Sequence, residues 1–246
     1  MSRFQVFQRR LAPTLAALLL VWAVARLLWF PGPYFEMLGI GKLVLVLVGV
    51  NLVVGPGLTA LVFRAGKPGL IFDFVALALL EVTILGWASY SIYLRAPAYV
   101  VFAVDRFEVV SAGEIDRAMI SDPRLRRRPG HEPRLVFAEM PAAPEKLDKL
   151  LDDVLLQGLP DIDRQPEFWK PYSAGIAKVK QQARPLADLL APDDERAHLV
   201  RRWLASTAAE PQAFVYLPIR AKARFSAMIV HADIGYPVGV IPIDPW

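Results

Sequence analysis

Asn51 and Glu81 each fall near the middle of a long apolar run. A carboxylate at the mid-depth of a bilayer costs about 2.5 to 3.5 kcal/mol on insertion scales, so such a residue turns toward protein rather than lipid. Two arrangements fit. Asn51 could donate a hydrogen bond to a neutral Glu81 and so fix a helix bundle, or the polar pair could receive the transmembrane helix of another protein. Gly55-Pro56-Gly57 breaks the same run that carries Asn51, and its glycines offer a smooth surface where a second backbone can approach closely.

Other chemistry is thin. His131, His198 and His231 are scattered, and nothing in their spacing suggests convergence on a metal. Asp161 and Asp163 could offer carboxylates to calcium, but without a glycine-bearing loop the pair reads as a solvated turn. There is no G-x-S-x-G, no H-E-x-x-H and no phosphate loop, and Gly39-Ile40-Gly41 lacks the third glycine of a dinucleotide turn. The chain has no cysteine, which excludes thiol catalysis and cysteine metal sites. Binding is therefore expected rather than catalysis, with no cofactor.

The polar pair is positioned by three apolar runs, at residues 11–30, 42–63 and 70–94. Each has the roughly 20 residues that a helix needs to cross a hydrocarbon core of about 30 Å. Arg3, Arg9 and Arg10 precede the first run, and Arg64 and Lys67 lie between the second and third. Positive segments stay in the cytoplasm, so the N-terminus is expected inside and everything after the third run outside. Ala23-Val24-Ala25 fits the letter of a signal-peptidase site, but the run continues through Leu27 to the interfacial pair Trp29-Phe30, so an uncut first span is expected. Arg26, one turn from the end of that span, is placed to snorkel to the interface. Asp73 lies one turn inside the third run, close to Arg64 and Lys67. Tyr34 follows a Pro31-Gly32-Pro33 turn bracketed by aromatic residues, as at a headgroup-level hairpin.

Composition agrees with this division. The net charge of +4 sits wholly in residues 1–94, which hold seven basic and three acidic groups, whereas the remainder holds 21 of each. The basic balance is thus a topology signal and gives no reason to expect a nucleic-acid partner. Residues 95–246 suffice for one core, and without cysteines an exported domain must hold by packing alone. Alternation predicts strands at 99–104 and 107–110, split by Asp105-Arg106, and at 134–140, 213–219, 224–230 and 237–243. Leu147, Leu150, Leu151, Val154 and Leu155 mark one face of a helix opened by Pro144. Further helices are expected at 173–190 and at 193–206, the latter capped by Asp193. Strands, helices, strands suggest an α+β domain with helices on one face of an antiparallel sheet. Arg126-Arg127-Arg128 reads as a basic loop.

These residues carry a family likeness. Tyr34 with its Pro-Gly-Pro turn, Val48-Gly49-Val50-Asn51 through Gly55-Pro56 to Thr59, and Asp73 make one half of it. Val104-Asp105-Arg106-Phe107 with Val109-Val110, residues 164–167, Tyr216-Leu217-Pro218 and the ending Pro242-Ile243-Asp244-Pro245-Trp246 make the other. In that order the chain resembles the type IV pilin accessory proteins (TfpX/TfpZ-like) of Gram-negative bacteria over nearly its whole length. It departs from them in having Asn51 where Asp is commoner and Glu81 where Gln is commoner. It also has Arg224-Phe225 in place of an Asp-Trp pair. The resemblance implies an inner-membrane, chaperone-like factor for a cognate major pilin, with the lipid bilayer as its other partner and a periplasmic C-terminal domain. Asn51, Gly55, Pro56, Gly57, Glu81, Asp73, Tyr34, Asp105 and Arg106 are then the candidate partner-binding residues. The competing expectation is a membrane-anchored sensor or envelope-binding module that uses the basic loop.

Overall fold

A computed structural model describes residues 2–120, 122–126, 132–191, 194–222 and 224–246. The chain divides into two compact units, Met1–Ala96 and Pro97–Trp246.

The first unit holds three helices long and apolar enough to cross a membrane, Arg3–Trp29, Ile40–Val62 and Leu70–Tyr93. The first begins earlier than its apolar run because Ser2 and Gln5 close a capping box, which satisfies two of the donors a helix start leaves open. Arg9 and Arg10 are thereby drawn into the helix rather than left as a flanking tail. The second span is α-helical over Ile40–Leu52, widens to a π turn over Val53–Gly57 and resumes over Leu58–Val62. Pro56 lies inside the π turn, and its missing N–H is the usual cause of such a break. Trp29 and Tyr93 meet edge to face, 5.6 Å between ring centroids, and Phe30 and Phe35 do the same at 6.3 Å. The Arg26 guanidinium lies 5.9 Å from the Phe35 ring centroid.

The second unit is an α+β domain on one sheet. Its strands are β1 (Pro97–Ala103), β2 (Arg106–Ser111), β3 (Arg134–Ala138), β4 (Trp169–Pro171), β5 (Arg184–Pro185), β6 (Phe214–Ala221), β7 (Arg224–His231) and β8 (Pro237–Ile241). The order is β4-β3-β1-β2-β6-β7-β8, with β5 also on β6. The hairpins expected from alternation are antiparallel, but β1 with β3 and β2 with β6 are parallel, so the sheet is mixed rather than antiparallel. Parallel neighbours are joined by crossovers, and no local turn residue announces them.

Helices lie on both faces, not one. Tyr99, Val101, Ala103, Val136 and Ala138 pack with Leu150 of the helix Pro144–Leu155. The alternate residues Phe102, Phe107 and Phe137 form an aromatic cluster, against which Gly175, at the start of the helix Ile176–Gln182, fits with no room for a Cβ. The long helix expected at 173–190 is cut at Arg184-Pro185. Proline cannot donate and holds the preceding residue extended, and β6 takes up the extended pair. The last helix spans Glu195–Thr207 and is capped by the Asp194 side chain, which accepts from Ala197 N at 3.0 Å; Asp193 lies outside the described residues.

Candidate functional site

In each unit a buried or half-buried carboxylate gathers arginine partners within largely apolar packing. In the first unit it is Glu81. Arg10 Nη2 donates to Glu81 Oε2 at 2.8 Å, and Thr14 Oγ1 donates to Glu81 Oε1 at 2.6 Å. Arg10 and Thr14 are one turn apart and so share a face of the first span. The Glu81 charge, midway along the third span, is therefore neutralised by the first. Gly55 completes the site from the second span: a Cβ there would stand 2.5 Å from Glu81 Oε1 and 2.8 Å from Thr14 Oγ1. Only a glycine lets the second span close on the pair.

The expected hydrogen bond between Asn51 and Glu81 is absent. Asn51 is buried and donates to Leu47 O on its own helix at 2.9 Å, and Glu81 is taken by the first span. Gly55 and Pro56 are buried, and Gly57 is half-buried. Thr59 donates back to the Gly55 carbonyl, which ties off part of the π turn. Asp73 accepts from Lys67 Nζ at 2.5 Å, an end-of-span pairing away from Glu81. Tyr34 opens the short helix Tyr34–Met37 after the turn. The residues the sequence did not single out are Arg10 and Thr14. Their four-residue spacing was visible, but what they faced depended on how the spans cross.

In the second unit the carboxylate is Glu108, 2% exposed. Arg106 Nε donates to Glu108 Oε1 at 2.8 Å, and Arg220 Nε lies 2.7 Å from Oε1 and 2.9 Å from Oε2. Arg106 also reaches Asp105 Oδ1 at 3.2 Å. Arg106 and Glu108 share a strand face because they are two apart, and the parallel register sets Glu108 beside Arg220. Beside them Arg164 pairs with Asp163 and, at 3.2 Å, with Glu114. Asp163 is buried, with Oδ1 lacking a hydrogen-bond partner. Burial pushes its carboxyl up to about 6, against the pull of Arg164. Asp161 caps the turn by accepting from Ile162 N at 2.7 Å. The Asp161/Asp163 stretch is thus a half-buried ion-pair corner rather than a solvated turn. The carboxylates are matched by arginines, an arrangement that braces a fold or presents charge but offers no open ligand set.

Among the described residues no group of three or more His, Asp or Glu is placed to hold a metal. His198 lies on the last helix and His231 ends β7. His131 and residues 127–130 of the basic loop lie outside the described residues; Arg126 reaches back to Ile120 O at 3.5 Å.

No protein-family model and no solved structure matches the chain. Three relatives do. The fimbrial assembly protein of serogroup I of Dichelobacter nodosus is 33% identical over 185 residues, 72% of this chain and 69% of that protein. Its serogroup E1 counterpart is 30% identical over 165 residues, of which this chain covers 63% of the relative's length. The protein of serogroups C1 and C2 is 33% identical over 109 residues, 43% of this chain and 80% of that shorter relative. An alignment of 72% of the chain is longer than either unit, so the likeness takes in residues of both. By that shared length and identity, this chain belongs to the family of fimbrial assembly proteins.

Proposed function

We propose that the protein is an inner-membrane accessory factor that binds a type IV pilin and promotes its assembly into a pilus, acting by binding rather than catalysis. The observation that carries this reading is the kinship with fimbrial assembly proteins across both the membrane unit and the sheet domain. The charge pattern supports a cytoplasmic N-terminus and a periplasmic sheet domain. A pilin waiting in the membrane as one apolar helix with an external head would then find both halves of its partner on matching levels.

The spans themselves suit a helix as guest. The most apolar stretch of the third span has no buried residue. A groove of about 410 Å³ runs between the second and third spans, lined by Leu43, Val46 and Val50 on one side and Ile84 and Trp87 on the other. The Glu81 carboxylate is already neutralised by Arg10, so the guest is recognised by shape and apolar contact.

Deleting the gene tests the proposal. Surface pili should fall sharply while secretion of unrelated proteins is unaffected, and the tagged protein in its native membrane should crosslink to pilin. Normal piliation without the gene would overturn the reading.

A further inference from the structure

We infer that a ridge of leucines on the helix Pro144–Leu155 is the surface on which the sheet domain receives the head of a pilin subunit, through a pilin face that is apolar and rimmed by lysine or arginine. This rests on the proposed function above and adds to it a place and a chemistry.

The helix is seated off-centre. Its apolar arc runs from Leu150 and Val154, which face the core, to Leu147, Leu151 and Leu155, one turn apart from each other in a row. Leu151 is 47% exposed and Leu155 74%, and past the helix end Leu156 and Leu159 are exposed at 78% and 47%. Scattered apolar residues on a surface need no explanation, but a contiguous row of leucines on a water-facing domain marks an interaction site.

Charge narrows the occupant. Asp148 and Asp152, both exposed, form the next row of the helix along the ridge. An anionic lipid surface would meet these carboxylates with like charge. A second copy packed about a two-fold axis in the antiparallel sense would set the two acidic rows side by side, which is unfavourable for the same reason. A different protein with a basic rim meets neither obstacle, and the partner already called for on this side of the membrane is the pilin head.

The test uses the full-length protein in nanodiscs, with two probes from the same host. One is full-length major pilin in micelles, and the other is its soluble head lacking the apolar helix. Leu151→Ser with Leu155→Ser should weaken binding of the head tenfold or more. Asp148→Lys with Asp152→Lys should do the same and should reverse the salt dependence, wild-type binding weakening with added salt and the variant's strengthening as like-charge repulsion is screened. All four positions are exposed, so an unchanged melting temperature is the control for folding. If both variants bind the head within twofold of wild type while full-length pilin still associates, the surface is wrong and the proposed function stands. If wild type binds neither probe, both fail. A serine variant that changes only the particle mass in detergent, or only adsorption to phosphatidylglycerol vesicles, assigns the ridge to a second copy or to lipid and overturns the inference.

Discussion

Glu81 illustrates how one side chain ties distant sequence together. Removing one partner of an enclosed ion pair leaves the other charge uncompensated, at about 3 to 5 kcal/mol, whereas removing both is far milder. Glu81→Ala and Arg10→Ala should each destabilise the detergent-solubilised protein by about 3 kcal/mol, and the double variant by much less than the sum. A double-mutant cycle on denaturation midpoints checks this, and additive losses would show that the pair found between Arg10 and Glu81 is not coupled. Gly55→Ala should act on the same site, because its methyl would meet Glu81 and Thr14 well inside contact distance. The expected loss is about 1 to 3 kcal/mol. Asp163 gives the sheet domain a pH dependence of definite sign. Its carboxyl is held at about 6, above the ordinary 3.8, first by burial. Its contribution is fully present below about pH 4 and is lost as pH rises through 6, amounting to about 3 kcal/mol in order of magnitude. Asp163→Asn should flatten chemical-denaturation stability between pH 4 and 7; an unchanged slope would place the titration elsewhere. The price of Glu81 was legible in the sequence, because a carboxylate amid leucines is conspicuous. Its partner was not, since Arg10 lies 71 residues away and read as a topology charge.

At the scale of elements, what was legible follows period and turn chemistry. The second and third spans and the helix opened by Pro144 follow continuous patterns and end within about two residues of them, whereas the first span starts at Arg3, eight residues before its apolar run, because the Ser2 cap lies outside that pattern. The hairpins of β1 with β2 and of β6 with β7 join neighbours through short turns. The parallel joint of β2 with β6 was hidden, because its partners are more than a hundred residues apart and only Phe107 with Ile219 and Glu108 with Arg220 are in register. That joint is short in backbone bonds, so the buried Glu108 with its two arginines is the side-chain clasp that holds the β1–β2 hairpin to the C-terminal strands. Arg106-x-Glu108 carried half of this signal in its two-residue spacing, and Arg220 carried the half that only the fold supplies. Glu108→Ala should cost about 3 kcal/mol, with each lost hydrogen bond to a charged partner contributing about 1.5 to 3 kcal/mol. Hydrogen exchange should localise the loss to residues 106–111 and 214–221, ahead of the β7–β8 pairing. Uniform deprotection of the whole sheet would mean that the clasp is not local.

For the whole molecule, the governing quantity is the sidedness of charge. The excess of basic over acidic groups lies in the membrane unit, with Arg3, Arg9 and Arg10 in the first ten residues and Arg64 and Lys67 in the turn before the third span, while the sheet domain is balanced. Moving the first cluster outward would carry Arg3, Arg9 and Arg10 across hydrocarbon, at about 2.5 to 3.5 kcal/mol each at the centre. That cost falls on the reversed topology and not on the proposed one. The absence of cysteine makes the question directly measurable, because a single introduced thiol has no background. Ala65→Cys and Asp188→Cys are both exposed, the first in the turn before the third span and the second in the sheet domain. In cells with a permeabilised outer membrane, a membrane-impermeant maleimide should label the thiol at 188 at once and the one at 65 only after lysis. The pattern should hold with or without pilin, because insertion is decided by the charges of this chain alone. The opposite labelling would place the leucine ridge and the Glu108 clasp in the cytosol, away from any pilin head, and the proposed partnership would fall with the topology.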